Sequence, residues 1–574
     1  MEDSTTTRRE SSARRRARAV VVVLLIVIIV LLVLFLRPRD NPVPPGPPRS
    51  PNQRKVLLEK YKAPDQAEEA IHAALIWLTQ HQAPDGSWGS DHATCPKESV
   101  CSDIARGEDY RIGLTGLVTL GYLARGVSDT PVTVEDPERR EWEKRFSAAL
   151  GMGIDFLVAR QAEDGTWGKG HIYSQAIATM ALVEASVYTS RKDLGPRIEK
   201  SIDFIARSQS AGGGWDYYGV SEEKGDPKRS DTSIVAWACM ALASADEAGY
   251  QVPDAVFAGI VRHLHAVTQP ATQEVGYTGR GSGETRTCRA IGLLCRLFLG
   301  YDPQAGPVRR QAKALLAEAL PVDMYFWYHG SMGMFQVGDL FPIWSRSVQQ
   351  ALVGLQHRAD HAAGSWSPIG EHDRKGGRIL TTALGLLSIE VYFRHSILDE
   401  RPVARFAGPR AVVRVLPTVE DAKVRAALIE ELGLMRSDEA VLACLSERAE
   451  KDPDEAVRAA AKGSLDAIRA RGTPSGAIEE HEFAVDSRSE WSAAPFHLAP
   501  GEVMELTLVE GPELPLFARL GPSQHPVGVT SPFRMTADRF GCLFLGPGSG
   551  AATEKKSTWK VKATVRFAPP AGSK

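Results

Sequence analysis

One phrase recurs through the first part of the chain and constrains its fold more than any other feature. Gln82-Ala-Pro-Asp-Gly86-Ser-Trp88 returns as Gln161-Ala-Glu-Asp-Gly165-Thr-Trp167, and again as Gln209-Ser-Ala-Gly-Gly213-Gly-Trp215. Each reads Gln-x3-Gly-x-Trp, with an aromatic five residues ahead of the Gln (Trp77, Phe156, Phe204). Looser copies follow: Gln269 leads to Gly276-Tyr277, and Gln356 leads to Gly364-Ser-Trp366 across a longer insertion. Repeated units of this length cannot bury their apolar faces alone, so the copies must stack on one another.

The phrase closes one kind of helix and precedes another. Amphipathic segments at about 66–81, 140–160, 196–208, 253–268, 306–319 and 345–358 alternate with more apolar, small-residue-rich ones. The second set spans 112–123, 173–186, 232–244, 287–299, 325–337 and 379–392. Leu114, Leu117 and Val118, like Ile177, Met180 and Ala181, keep helical spacing. Six outer helices paired with six inner ones close into a double ring, an (α/α)6 toroid. Within the phrase, Gly86, Gly165 and Gly213 supply the tight or left-handed backbone that ends a helix. The Gln amide satisfies backbone groups left open there, and the Trp packs while donating its N–H. Gln82, Trp88, Gln161, Trp167, Gln209 and Trp215 are therefore read as structural staples of the repeat.

With the upstream aromatic, Gln-x3-Gly-x-Trp resembles the QW repeat of squalene and oxidosqualene cyclases, which share their toroid with protein prenyltransferase β subunits. The resemblance covers about residues 63–400 and implies the fold rather than the chemistry. Class II cyclases protonate an alkene with the middle Asp of Asp-x-Asp-Asp-Thr-Ala, a task for a carboxylic acid kept protonated in a dry pocket. The matching stretch reads Lys228-Arg229-Ser230-Asp231-Thr232-Ser233. Serine stands in the acid's place and cannot protonate an alkene. Asp231 is expected to cap the helix or to pair with Arg229. The prenyltransferase zinc ligands fare no better. Their Asp-x-Cys is matched by Arg286-Thr287-Cys288, leaving His329 and His395 as third ligands by position only.

No metal or cofactor is therefore expected, and the catalytic residues, if the ring is an enzyme, are not identified by these motifs. His357 and His361 stand four apart around Asp360, a spacing a metal could use, but they fall in the insertion and are read as a solvated turn. Cys95 and Cys101 flank a polar loop and could close a local disulfide; without a second Cys pair or a His doublet nearby, no zinc site is expected there. His171, Asp231, Tyr325, Trp327, Tyr328, His329, Arg378 and Thr381, at or near the heads of inner helices, are the cavity-lining candidates, suited to an apolar or glycan ligand.

The ends of the chain belong to other classes. Six arginines in the first eighteen residues precede an unbroken apolar run, 19–36, ending in Phe35-Leu36-Arg37-Pro38 without a small-residue cleavage site. At 1.5 Å per residue that run spans about 27 Å, the length of a single-pass anchor rather than a cleaved signal. The positive-inside rule leaves the N-terminus cytoplasmic and the body extracytoplasmic. A formal net charge of -2 gives no global field for nucleic acid. After residue 400, Asp421-Ala-Lys-Val424-Arg425 and Asp454-Glu-Ala-Val457-Arg458 resemble HEAT-type repeats, a surface for a protein partner. From about 476, Trp559, Val561, Ala563, Val565 and Phe567 alternate with polar residues, and a β-sandwich is expected. Phe517–Gly521 and Gly541–Gly546 weakly resemble a galactose-binding PA-I-like lectin, though no Asn/Asp calcium loop follows.

The expected order is a basic cytoplasmic tail (1–18), a transmembrane anchor (19–36), a Pro-rich linker (37–62) and the toroid (63–400). HEAT-like helices and a linker (401–475) and the β-sandwich (476–574) complete it. The function expected is a membrane-anchored, non-catalytic binding or scaffolding protein. The alternative is an enzyme acting on an isoprenoid or glycan through residues outside the cyclase motif.

Overall fold

In the computed structural model, α1 (Pro51–Lys60) is followed by helices that alternate between two layers. The pairs are α2 (Ala67–Gln80) and α3 (Arg111–Ala124), α4 (Pro137–Arg160) and α5 (Ile172–Tyr188), and α6 (Gly195–Arg207) and α7 (Thr232–Glu247). They continue as α8 (Asp254–Val267) and α9 (Arg286–Leu299), α10 (Gly306–Ala317) and α11 (Met324–Val337), and α12 (Phe341–Leu355) and α13 (Asp373–Ile389). The structure describes most of residues 51–90, 110–129, 136–219, 229–317, 320–394 and 406–471, with Cys95, Cys101 and the strands between 478 and 566. The chain divides into units 1–44 and 45–574, and every described residue belongs to the second. The tail and anchor read from the sequence lie outside the described residues. Among the described residues, no helix is long and apolar enough to cross a membrane.

The inner layer closes on itself. α3 packs on α5, α5 on α7, α7 on α9, α9 on α11, α11 on α13, and α13 back on α3. Each outer helix covers the inner helix that precedes it around the ring, α4 on α3 through α12 on α11, while α2 covers α13. Three of the six inner helices carry a side-chain cap at the head. Asp231 accepts from Ser233 N, Thr285 from Cys288 N and Asp323 from Phe326 N.

The repeated phrase has the same geometry four times. The Gln amide donates both to its own loop and to the next outer helix. Gln82 bonds Gly86 O and Ala149 O, Gln161 bonds Gly165 O and Arg197 O, and Gln209 bonds Gly213 O and Val256 O. Gln356 bonds Gly364 O and, 286 residues away, Ala70 O, so the last repeat grips the first. The indoles of Trp88, Trp167, Trp215 and Trp366 donate back to Leu78, Leu157, Ile205 and Leu352 carbonyls at 2.7–2.8 Å. The glycine between them takes φ of +87° to +94°, and a Cβ there would strike a backbone carbonyl of the next outer helix. The Gln269 copy lacks this arrangement: its loop is held from the other side, by Gln311 of α10 donating to Gln273 O.

One boundary differs from expectation. Residues 51–60, read as part of the Pro-rich linker, form α1. Pro51 is the last proline of that run and is tolerated at a helix start. Beyond it Leu57, Leu58 and Tyr61 pack against the core, and Arg54 pairs with Glu68 at 2.9 Å. After the short α14 (Val391–Arg394) come α15 (Ala407–Val415), α16 (Ala422–Leu432), α17 (Glu439–Lys451) and α18 (Glu455–Arg471). Asp421 and Asp454 cap α16 and α18 through backbone N–H groups, and Arg425 forks onto Asp452 at 3.0 and 3.1 Å. α15 and α16 dock on α8. There Glu431 accepts from Tyr301 at 2.7 Å and meets His265 at 3.1 Å. Beyond residue 476 come β1 (Ile478–Asp486), β2 (Ser492–Leu498), β3 (Val503–Glu510), β4 (Phe517–Leu520), β5 (Val527–Gly528), β6 (Phe533–Thr536), β7 (Gly541–Gly546) and β8 (Thr558–Arg566). They form two four-stranded antiparallel sheets, ordered β1-β8-β3-β6 and β2-β7-β4-β5.

Candidate functional site at the mouth of the ring

All inner helices begin at the same end of the ring as the stapled loops, so their head residues converge on one mouth. A half-buried aromatic rim surrounds it. His171, the residue ahead of α5, lies within 6.1 Å of Tyr110, Tyr173, Tyr217 and Tyr218, centroid to centroid. The Tyr217 and Tyr277 hydroxyls meet at 2.8 Å, and the Arg229 guanidinium lies over the Tyr217 ring. On the far side Tyr325 stacks on His372, whose Nδ1 lies 3.3 Å from Asp323. That carboxylate pushes His372 above its ordinary value.

Below the rim, side chains from non-adjacent inner helices meet across the centre. Tyr173 of α5 bonds Ser233 of α7 and lies 3.5 Å from the Tyr325 hydroxyl of α11. Trp237 of α7 donates to the same hydroxyl at 3.1 Å and stacks on Tyr328. His329 stands edge-on to Trp237 and gives its Nδ1 to Tyr325 O at 2.8 Å. Trp237, Tyr325, Tyr328 and His329 are all buried. Burial holds His329 down at about 4, so it is neutral at physiological pH.

The remaining expected site residues divide. Asp231 is buried as the cap of α7; besides Ser233 N, Ser233 Oγ donates to it at 2.6 Å, and Arg229 stands 4.0 Å off. Ser230, in the position of the cyclase acid, bonds Ser210 at 2.7 Å. Arg378 donates to Ser365 and Ser367, and Thr381 to Trp366 O, so both hold the last stapled loop. Trp327 is buried, with no hydrogen-bond partner for its indole N–H among the described residues. Cys288 lies near Gly283 O, and His395 lies outside the described residues.

Two groups carried no sequence signal strong enough to select them. Asp373 is fully buried between the heads of α11 and α13, accepting from Met324 N and Gly370 N. Burial, then the nearby Asp323 carboxylate, pushes it up to about 6. Its place at an inner-helix head, shared with Asp231, is the one clue the repeats offer. The second group lies at the ring's seam. Cys95 and Cys101, for which the sequence leaves a local disulfide open, are present as thiols, and they gather with His81 and His361. The His357–His361 spacing has no helix beneath it: that segment is a turn, His357 bonds Ser367, and only His361 faces the seam.

The comparisons follow the ring. Residues 141–284 match the family model of the squalene-hopene cyclase C-terminal domain. The helical ring is terpenoid cyclase-like. Two solved structures of the type II terpene cyclase MstE from Scytonema are similar to this chain. One is a variant in complex with geranylgeranyl dihydroxybenzoate (TM-score 0.37), the other the apo enzyme (TM-score 0.25). Each is 13% identical and covers 57% of this chain and 97% of that one. No curated protein matches the chain.

Proposed function

We propose that the chain is a membrane-tethered binding or scaffolding protein whose cyclase-like ring has no cyclase activity. One observation carries this reading. Trp237, Tyr325, Tyr328 and His329 meet across the ring centre, where a cyclase would need room for its substrate, and all four are buried. Ser230 and a capping Asp231 in place of the acid motif support it further. The half-buried phenols around His171, with Arg229 beside them, suit a shallow apolar or glycan ligand held at the mouth. In this reading 19–36 anchors the chain with its body outside the cytoplasm, and the two sheets pack as a β-sandwich. The helices of 401–475 and that sandwich are the surfaces for a protein partner.

A second reading rests on Asp373. A carboxyl held at about 6 beside Asp323 and His372 has the character of a general acid, as an enzyme working outside the usual motif would require. The full-length protein in detergent, incubated with linear isoprenoids including squalene, separates the two by mass analysis of products. No cyclised product is expected. Product formation abolished by Asp231→Asn or Asp373→Asn would overturn the binding reading, and protease treatment of intact cells that spared the body would overturn the orientation.

A further inference from the structure

The seam where the ring closes brings together four soft-metal ligands from both ends of the toroid. His81 follows the last residue of α2, the first outer helix. Cys95 and Cys101 lie in the loop after it, and His361 lies in the insertion of the last repeat, 280 residues from His81. One ligand atom from each of the four lies within 4.8 Å of every other. We propose that His81, Cys95, Cys101 and His361 form a structural zinc site that clasps the first repeat of the ring to the last.

The donor set fits zinc. Two thiolates and two imidazoles are a recurrent closed, four-coordinate zinc set, which leaves no position for substrate. At ordinary Zn–N and Zn–S lengths, a tetrahedral site sets the two nitrogens roughly 3.3 Å apart and the two sulfurs roughly 3.8 Å apart. The two imidazole Nε2 atoms already stand 3.1 Å apart. The thiol sulfurs, within 4.8 Å of both nitrogens and of each other, need to draw inward by only about an ångström to complete the site.

The surroundings orient the ligands as a metal needs. His81 gives its Nδ1 to Trp77 O at 2.6 Å and stacks on the Trp77 ring, which puts the proton on Nδ1 and leaves Nε2 to coordinate. Trp77 then reaches across the seam, its indole donating to His361 O at 3.0 Å, and Cys101 Sγ lies 3.5 Å from the same carbonyl. Asp360, immediately before His361, adopts φ +60°, a conformation that aspartate tolerates better than most residues and that turns the insertion toward α2. Binding releases one proton from each thiol, and the two thiolates cancel the ion's charge. A neutral assembly of this kind suits Cys101 and His81, both buried.

The place gives the site its purpose. Everywhere else around the ring, neighbouring repeats are also joined by the chain itself. At the seam the ring is closed by packing and by hydrogen bonds such as Gln356 to Ala70 O and Trp77 to His361 O, and a metal adds a link that shuts a loop of nearly the whole toroid. The test uses the untagged full-length protein purified in detergent without chelator, with zinc counted by mass spectrometry. About one zinc per chain is expected for a single site. His361→Ala and Cys101→Ser each reduce it to background, while His357→Ala, whose ring bonds Ser367, retains it. Cobalt exchanged into the wild-type protein should show thiolate charge-transfer and tetrahedral d–d bands, a readout that survives if the variants fail to fold. Wild-type protein without metal, zinc retained in the two ligand variants, or a Cys95–Cys101 disulfide in the peptide map would each overturn the site.

Discussion

The two ends of the ring use the same inner helices and are built for opposite conditions. At the mouth, helix heads and stapled loops present half-buried phenols, His171 and Arg229 to solvent. At the other end the same helices finish in buried charge. Arg394 of α14 forks onto Glu184 at 2.6–3.2 Å and bonds Tyr328 OH, while Arg125 meets Glu143 and Glu68 at 3.4 and 3.3 Å. Glu390 is fully buried, with both oxygens lacking a hydrogen-bond partner among the described residues, and burial holds it well above the ordinary carboxyl range. Arginines at helix C-termini also answer the negative end of the helix dipole. Among the described residues, α1 and α14 pack at that second end, so on the binding reading proposed above a ligand would meet the ring at the mouth.

The largest test of that contrast is Arg394→Met. It leaves the Glu184 carboxylate buried without its partner and should cost about 3–5 kcal/mol in urea unfolding. Adding Glu184→Leu should restore a large part of the loss, because an apolar pair of similar volume replaces the ions. A loss below about 1 kcal/mol for the single variant would mean that this second end is wet.

His329, in the centre between the two ends, reads the same contrast through pH. Its folded value near 4 lies below the ordinary value of 6.5. The stability it contributes is therefore fully present above about pH 6.5 and is lost as pH falls toward 4. About 3 kcal/mol should disappear over that window. His329→Leu should flatten this part of the stability–pH curve, and an unchanged slope would place the group in contact with water.

Smaller effects belong to a single stapled loop and to the surface. Gly213→Ala forces a side chain into φ +91° and against the Gly259 carbonyl, which should cost about 1–3 kcal/mol; Gly463→Ala, in α18 with no heavy atom near its added Cβ, should be neutral or slightly stabilising. Smallest is Arg139→Ala, which removes an exposed pair with Glu69 and should change stability by no more than about 0.5 kcal/mol.

The architecture was legible because its signals are local. Gln, Gly and Trp at fixed spacing each satisfy a backbone group within one loop or in the next helix, so the sequence by itself determined the alternation of helices and the stapled turns. It also determined that Ser230 cannot do a cyclase acid's work. Tertiary structure alone decided what those helices hold. Whether Trp237 and Tyr328 pack across the ring or line an open space depends on helices that the chain visits almost a hundred residues apart. Arg378 and Thr381 share a helix head with cavity candidates, yet their hydrogen bonds turn them to the Trp366 loop. The seam is the extreme case. His81 and His361 carry no common motif and no shared element, and only closure of the ring brings them within 3.1 Å.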